Sequence, residues 1–519
     1  MKKIIYFAAV LLVTMAACKK EPPKPEITPE TAELTFAYGA GSQSVRLRTN
    51  YAWTASVKDA WCSISAKSGA AGDIDLTADV KENETYDVRT TTITIVAETA
   101  IAKIQVTQAA KGAVALDEKH FEIDAEGGNI DVAYQSNVEI TAAVEADAKE
   151  WLSVVKTRGM ENHTMVLGVA KYDRYGVEKR TGRVFVSVEG MDVPDTVFVS
   201  QSPKNPLLWS VDLPAASVAA GGPLRIGISG DNLLLADGTK TVQVLNKSDG
   251  KQVKTLEAPF AVQSLACDEA GHVAIAANAK QPDHMKVYRA AGLSLAEADL
   301  TAICDFNAAN LPGWTLGSVR VGGDIAGQGV VSFLGALWNN QLYYVSYELR
   351  NGEWSNDRRI FKKVGTAKIS GPQYGGILPL GAKHADGLAF IGYSVGYYGL
   401  SLNMTPAATP EAFTQVADFG FTANENMAAL SAAERGGKKY VAVATGAHFK
   451  YSGVLVGLVE IGAGNKEPVS FDLKELFKFE VKEAKPLVDL VLKVEDNRLV
   501  VYTVFAGSRK IAKFVVPVE

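Results

Sequence analysis

Cysteine and histidine are scarce in this chain, with four and six among 519 residues. Cys18 closes an N-terminal leader, which leaves Cys62, Cys267 and Cys304. An odd number of thiols excludes a disulfide framework. Cys62, beside Trp61 in an apolar run, reads as a buried thiol, and a Cys267–Cys304 bridge is left open. The histidines (His120, His163, His272, His284, His384, His448) never stand at ligand spacing. Only folding could gather His284, His384 and His448, so no metal and no cofactor is expected. Basic excess is also absent, with 53 Lys and Arg against 58 Asp and Glu. That balance gives no footprint for nucleic acid. After the leader, no apolar run reaches the roughly 18 residues that suggest a bilayer-spanning helix.

Catalytic signatures are missing too. There is no His-Glu-x-x-His, no Gly-x-Ser-x-Gly elbow, no phosphate-cradling glycine loop, no calcium loop and no Ser-x-Asp-x-Gly-x-x-Trp box. The reading leans away from an enzyme. A glycosidase, however, needs only two carboxylates that the fold brings together, and Glu425, Asp489 and Asp386 are the candidates for that alternative.

The leader runs Met1-Lys2-Lys3, an apolar core from Ile4 to Val13, then Thr14-Met15-Ala16-Ala17-Cys18. Residues 1–17 have the basic start, short apolar run and small residues of an export signal peptide. Cys18 directly after Ala16-Ala17 resembles the bacterial lipobox, with Met15 in place of the usual leucine. The resemblance implies that Cys18 is lipidated and becomes the N-terminus, with its acyl chains as the membrane anchor. Residues 18–29 are polar and proline-rich, as suits a flexible tether. Lys19-Lys20-Glu21 is similar to the surface-export signals of Bacteroidetes lipoproteins. It points to a lipid-anchored protein of the outer membrane at the cell surface, with the leaflet left open.

Two stretches then repeat one pattern. Asn50, Trp61, Arg89 and Gln108 recur as Asn137, Trp151, Arg180 and Gln201. Around them, Leu34-Thr-Phe36, Val45-Arg-Leu47, Trp53–Val57, Ile74-Asp-Leu76, Ile93-Thr-Ile95 and Ile104-Gln-Val106 alternate apolar with polar residues. The second stretch does the same at Phe121-Glu-Ile123, Ile130-Asp-Val132, Val184-Phe-Val186 and Val197-Phe-Val199. This is the period-two pattern of half-buried strands, with turns at the spacing of a β-sandwich. Residues 30–110 and 113–203 are the expected modules.

Asn50-x-x-Trp53, Trp61-Cys-Ser-Ile64, Asn83 six residues before Arg89, Thr92–Ile95 and Val106-Thr-Gln108 together resemble the BACON domain. That immunoglobulin-like sandwich is common in Bacteroidetes surface proteins and often precedes glycan-active domains. The second copy is similar at Trp151-Leu-Ser-Val154, Arg180-Thr-Gly182 and Val199-Ser-Gln201. It departs where Ile140 replaces Trp53 and Arg174 replaces Asn83. The resemblance implies either sugar binding or a spacer. Trp61 and Trp151 alternate into strands and are expected in the core, and Arg89 and Arg180 in ion pairs or at strand edges.

Past Pro203–Pro206 the texture changes. Strands headed by Leu224, Leu265, Val319, Ile377, Leu430 and Leu490 each lead through a turn to a second apolar strand. The partners are Leu233–Leu235, Val273–Ile275, Val330–Phe333, Leu388–Phe390, Tyr440–Val443 and Leu499–Val501. Such units, each unable to bury both faces alone, predict a β-propeller over residues 206–519. Six heads give six blades, with seven left open. Trp209-Ser-Val211 and Phe514-Val-Val516 would close the ring. The fold class is therefore all-β, with two immunoglobulin-like sandwiches followed by a propeller.

The loops entering the inner strands carry Phe260, Trp314, Pro372, Glu425 and Lys485, with Tyr374 and Arg320 close by. If these converge on one funnel mouth, aromatics with Glu, Lys and Arg make a sugar-binding rim. Phe260 and Trp314 wedged between blades is the other reading. Trp354, Asp357, Arg358 and Arg359 form a second cluster. The expected function is a non-catalytic lipoprotein that binds a surface glycan or glycoprotein in a polysaccharide-uptake system, with other outer-membrane uptake components as possible partners. The alternatives are a propeller glycoside hydrolase or lyase, and a protein-interaction scaffold.

Overall fold

The computed structural model describes residues 23–157, 163–176, 178–189, 191–220, 222–277, 284–307, 315–337, 341–361, 375–392, 399–403, 414–418, 425–447, 455–462, 468–473, 477 and 488–516. The chain divides into two compact units, residues 1–173 with 179–202, and residues 174–178 with 203–519. No helix among the described residues is long and apolar enough to cross a membrane.

The first unit holds two β-sandwiches of matching topology. In the first, Ile27–Pro29, Gly41–Thr49, Gly72–Val80 and Cys62–Ile64 make one sheet. Its other sheet runs Glu33–Phe36, Ala100–Gln108, Arg89–Ala97, Trp53–Val57 and Ser68–Gly69. The second sandwich sets Val114–Leu116, Gly128–Ser136, Thr164–Val169 and Leu152–Thr157 beside a sheet of His120–Ile123, Asp195–Gln201, Arg180–Ser187 and Thr141–Val144. In both, a short early strand lies parallel to the last one, Glu33–Phe36 on Ala100–Gln108 and His120–Ile123 on Asp195–Gln201.

Alternation decides which residues enter these cores. Val45, Leu47 and Thr49 point inward from one strand, and Ile93, Ile95 and Ala97 from another. Each fully buried valine, leucine or isoleucine contributes about 1.5–3 kcal/mol, and a one-residue slip would turn the whole set to solvent. Trp53 is buried, and Ile140, its counterpart, fills the second core. A Cβ on Gly69 would lie 2.7 Å from the Trp53 indole nitrogen, so the short edge strand needs a glycine there.

The second unit, over its described residues, is a propeller of six four-stranded antiparallel blades. Blade 1 contains Arg225–Ser229, Asn232–Ala236, Thr241–Asn246 and Gln252–Glu257, and blade 2 contains Val262–Cys267, Val273–Ala277, His284–Ala290 and Leu300–Asn307. Blade 3 is Thr315–Gly323, Gly329–Leu337, Gln341–Arg350 and Glu353–Phe361, and blade 4 is Gly375–Pro379, Leu388–Gly392, Gly399–Asn403 and Thr414–Asp418. Blade 5 is Glu425–Arg435, Lys438–Ala447, Leu455–Ile461 and Val469–Asp472. Blade 6 joins Val488–Glu495, Arg498–Phe505 and Lys510–Val515 to Leu207–Asp212 from the start of the unit. Each inner strand neighbours the next, and that of blade 6 neighbours that of blade 1, so the ring closes.

Five of the sequence heads lie within inner strands, and Leu224 immediately precedes the first. Ring closure uses the expected segments, with Trp209 opposite Lys513 and Val211 opposite Ile511. Central strands such as Asn232–Ala236 and Val273–Ala277 are buried on both faces because neighbouring blades cover them. That is why period-two alternation fades in this half of the sequence. Asn351 and Gly352, at φ of 54° and 77°, make the two-residue hairpin between Gln341–Arg350 and Glu353–Phe361.

Candidate functional site

The repeated residues of the sandwiches are spent on their own fold. Gln108 is fully buried at the end of its strand, and its amide donates to the carbonyls of Tyr38, Gly39 and Lys81 at 2.9–3.0 Å. Its oxygen accepts both Nε (2.9 Å) and Nη2 (2.8 Å) of Arg89, which also donates to Lys81 O. The Arg89 guanidinium lies 4.5 Å from the centroid of the Trp61 ring. The second copy is the same device. Gln201 is buried and binds the carbonyls of Asp124, Ala125 and Ala170, and Arg180 binds Gln201 Oε1 and Ala170 O. Arg180 is stacked between Trp151 and Tyr172, 4.4 Å from each ring.

Burial lowers the Arg180 pKa. Each arginine opens its strand, and among the described residues neither pairs with a carboxylate. Trp61 and Trp151 are half-buried under the cations rather than enclosed in the core, a correction to the sequence reading. Asn50 and Asn137 each hold the segment entering their module. Asn50 accepts from Glu26 N and donates to Lys24 O, and Asn137 accepts from Ala113 N and donates to Lys111 O. Asn83, also fully buried, bridges Asp87 O and Ala109 O.

The propeller holds a concave site, and the second sandwich carries a more open one lined by Lys149, Glu150, Trp151 and Ser153. A cavity of about 270 Å³ opens where the inner strands end, walled by Ile226, Ala266, Arg320, Leu378, Leu430 and Leu490 at one level. Toward its mouth stand Glu269, Glu434, Lys439 and Lys493. Lys439 is tied down by donating to Leu380 O. Cys267 lines the wall, where loss of solvent pushes its thiol up to about 12. Cys267 and Cys304 are free thiols, so the bridge left open in the sequence does not form.

Blades 3 and 6 face each other across the ring, and their side chains meet at the cavity floor. Asp489 is fully buried and takes Arg320 on both carboxylate oxygens, Nη2 on Oδ1 and Nη1 on Oδ2 at 3.4 Å. Its Oδ2 also accepts Ile226 N from blade 1, at 3.0 Å. A second buried guanidinium, Arg225, lies in the field of this pair, attracted by Asp489 and repelled by Arg320. Burial pushes it down to about 10. It donates one hydrogen bond, to Leu224 O.

The sequence candidates therefore separate. Arg320 is not a rim residue but part of the floor. Asp489, offered as a catalytic carboxylate, is fully buried and neutralised by Arg320. Asp386 accepts from Lys383 N in a short turn behind Gly381, where it caps local structure. Phe260 packs on Tyr288 in the cluster between blades 1 and 2, at 5.4 Å between ring centroids, which is the wedge reading. Glu425 begins the inner strand of blade 5, and its side chain lies outside the described residues, as do those of Asp357, Arg358 and Arg359. Cys18, Trp314, Pro372, Tyr374, Lys485 and His448 lie outside them altogether. Trp354 is 42% exposed. The cavity is at the end of the inner strands opposite the loops from which the sequence reading drew its rim.

Two further clusters escaped the sequence reading because they join different blades. Ser346 Oγ lies 2.8 Å from His384 Nε2, and Glu348 lies beyond the ring, 3.9 Å from Nδ1. The order suggests a nucleophile triad, but Ser346 is fully buried, shares its hydroxyl with Ser332, and does not line this cavity. Asp268, His272 and Asp324 bring three ligand-type atoms within 4.8 Å. Asp268 is already engaged by His272 N and Ile325 N, and His272 Nδ1 is 3.0 and 3.1 Å from the two carboxylates. The trio stitches the blade 2 hairpin to that of blade 3. His284 pairs with Asp305 at 2.7 Å, away from His384.

The model of a family described as the viral BACON domain matches residues 25–111. Among curated proteins no sequence matches. A Bacteroides ovatus GH5 xyloglucanase, solved with a heptasaccharide, is 25% identical over 20% of this chain and 22% of its own length, with a TM-score of 0.16. An auxiliary nutrient binding protein from Bacteroides ovatus is 10% identical over 79% of this chain and 98% of its own, with a TM-score of 0.35. The Cps50 β-propeller domain of Myceliophteria thermophila is 14% identical over 67% of this chain and 92% of its own, at 0.31.

Proposed function

We propose that this chain is a non-catalytic binding protein, anchored in the outer membrane through lipid on Cys18 and displayed at the cell surface. Its propeller binds a glycan or glycoprotein in a polysaccharide-uptake system, and the sandwiches hold it away from the membrane. The observation that carries the reading is the division of polar groups between the units. In the sandwiches, Arg89, Gln108, Arg180 and Gln201 are consumed by internal hydrogen bonds. In the propeller, a cavity with charged side chains at its mouth remains. Of the carboxylates the sequence offered for hydrolysis, Asp489 is committed to Arg320 and Asp386 to a turn.

The test is a glycan array probed with the intact chain, followed by titration of the strongest hit against Lys493→Glu. Binding that weakens at least tenfold in the variant supports the reading. An array with no hit at millimolar glycan overturns it.

A further inference from the structure

The charged groups that line the propeller cavity divide into spent and unspent ones. Arg320 is held by Asp489, Lys439 donates to Leu380 O, and Asp268 accepts His272 N and Ile325 N. Glu269, Glu434 and Lys493 make no hydrogen bond and no ion pair among the described residues. The mouth therefore offers two negatively charged acceptors and one positively charged donor. Deeper along the inner strands the wall is aliphatic, where Val321, Ala432, Ala433 and Val491 keep part of their surface open. Among the described residues no aromatic ring lines the cavity, so nothing there stacks on the flat face of a pyranose.

We infer that the cavity takes a neutral sugar residue that carries a methyl group, in an acetamido substituent or as the methyl of a 6-deoxy sugar, at the end of a glycan chain. Sugar hydroxyls both donate and accept, so they satisfy the two carboxylates and the ammonium at once. A sugar carboxylate would instead face Glu269 and Glu434, and like charges oppose such a partner. The aliphatic wall penalises a hydroxyl, which loses water there without gaining a partner, and favours a methyl group. A cavity of about 270 Å³ is at the small end of ligand clefts, which run to about 300–1,000 Å³. It suits one sugar residue rather than a long oligosaccharide. This rests on the glycan-binding reading above and narrows it to neutral, methyl-bearing chain ends.

The experiment is calorimetric titration of the intact chain with N-acetylglucosamine, fucose, glucose and glucuronate, repeated on Val491→Thr and Glu434→Lys. Threonine keeps the shape of the wall and exchanges one methyl for a hydroxyl, and Glu434 is exposed, so both variants fold, which circular dichroism checks. The expected result is binding of N-acetylglucosamine or fucose about fourfold tighter than glucose or better, the worth of one buried methyl group, with glucuronate weakest. The margin over glucose shrinks in Val491→Thr, and Glu434→Lys brings glucuronate up to glucose. Whichever methyl-bearing sugar leads tells acetamido from deoxy. Glucose binding as tightly as both methyl-bearing sugars, glucuronate binding tighter than glucose, or a selectivity that neither folded variant moves overturns the inference and leaves glycan binding standing. Binding of none of the four at millimolar concentration also overturns it, and together with a blank array overturns the glycan reading as well.

Discussion

Arg320 and Asp489 belong to opposite blades, 169 residues apart, and meet across the propeller axis as a two-pronged buried ion pair. The pair fixes the channel floor and draws blade 1 in through Ile226 N. It also sets an asymmetry that can be measured. Asp489→Asn leaves two buried cations facing each other, and breaking such a pair costs about 3–5 kcal/mol. Arg225→Met removes a cation that has no full partner, so the melting temperature of that variant should be unchanged or raised. Thermal unfolding followed by circular dichroism gives both values. Equal loss in the two variants would contradict this asymmetry.

Gln108 and Gln201 are expected to be equivalent. Each is an amide enclosed among carbonyls and an arginine, and Ala at either site leaves several buried groups unsatisfied, at a cost of about 2–4 kcal/mol. Hydrogen exchange should locate the effect. Gln108→Ala should raise exchange in Ala100–Gln108, and Gln201→Ala in Asp195–Gln201, each leaving the propeller strands unchanged. Exchange that rises throughout the chain would contradict the independence of the modules.

Trp209 holds the ring shut. It lies in the strand that completes blade 6, donates to Lys247 O in blade 1 at 3.2 Å, and packs edge-on against Tyr502. Trp209→Ala should cost about 3–5 kcal/mol and loosen Arg498–Phe505 and Lys510–Val515 first. Limited proteolysis should then cut within blade 6 before blades 2 and 3. Cleavage that begins elsewhere would count against this account of closure.

The three thiols give a pH dependence with a definite sign. Burial raises Cys62, Cys267 and Cys304, Cys267 to about 12. Their folded-state pKa values lie above that of an unfolded thiol, about 8.5. Their contribution is therefore complete below that pH and is lost as pH rises toward 12, while unfolded thiols ionise and folded ones do not. Unfolding in urea at pH 7 and pH 10 should show lower stability at the higher pH, with a smaller difference in Cys267→Ala. At pH 8.5, iodoacetamide should label the native chain slowly and the urea-unfolded chain fast. Rapid native labelling at Cys267 would show the cavity wall to be wetter than described.

Strand alternation made the sandwiches legible, because each strand there has one wet face. Paired apolar runs with hairpin turns were enough for the blades, although both faces are dry. The sites were harder to read. Alternation put Trp61 and Trp151 in the core and gave no sign that Arg89 and Arg180 would cover them at its edge, since those arginines arrive from another strand. Arg320 and Asp489 carry no local sign of one another, because only ring closure joins blade 3 to blade 6. The same holds for Ser346 with His384 and for Asp268 with Asp324, pairs made between blades. The repeated Asn, Trp, Arg and Gln, the plainest signal in the sequence, proved to mark how each sandwich is fastened.

The central claim is that recognition belongs to the propeller and the sandwiches are structural. One glycan-array measurement addresses it most directly, comparing the intact chain with Arg180→Lys, which disturbs the stacked cation of the second sandwich, and with Lys493→Glu at the cavity mouth. The account predicts full binding in Arg180→Lys and at least tenfold loss in Lys493→Glu. Loss confined to Arg180→Lys, with Lys493→Glu unaffected, would place recognition in the sandwich and contradict it.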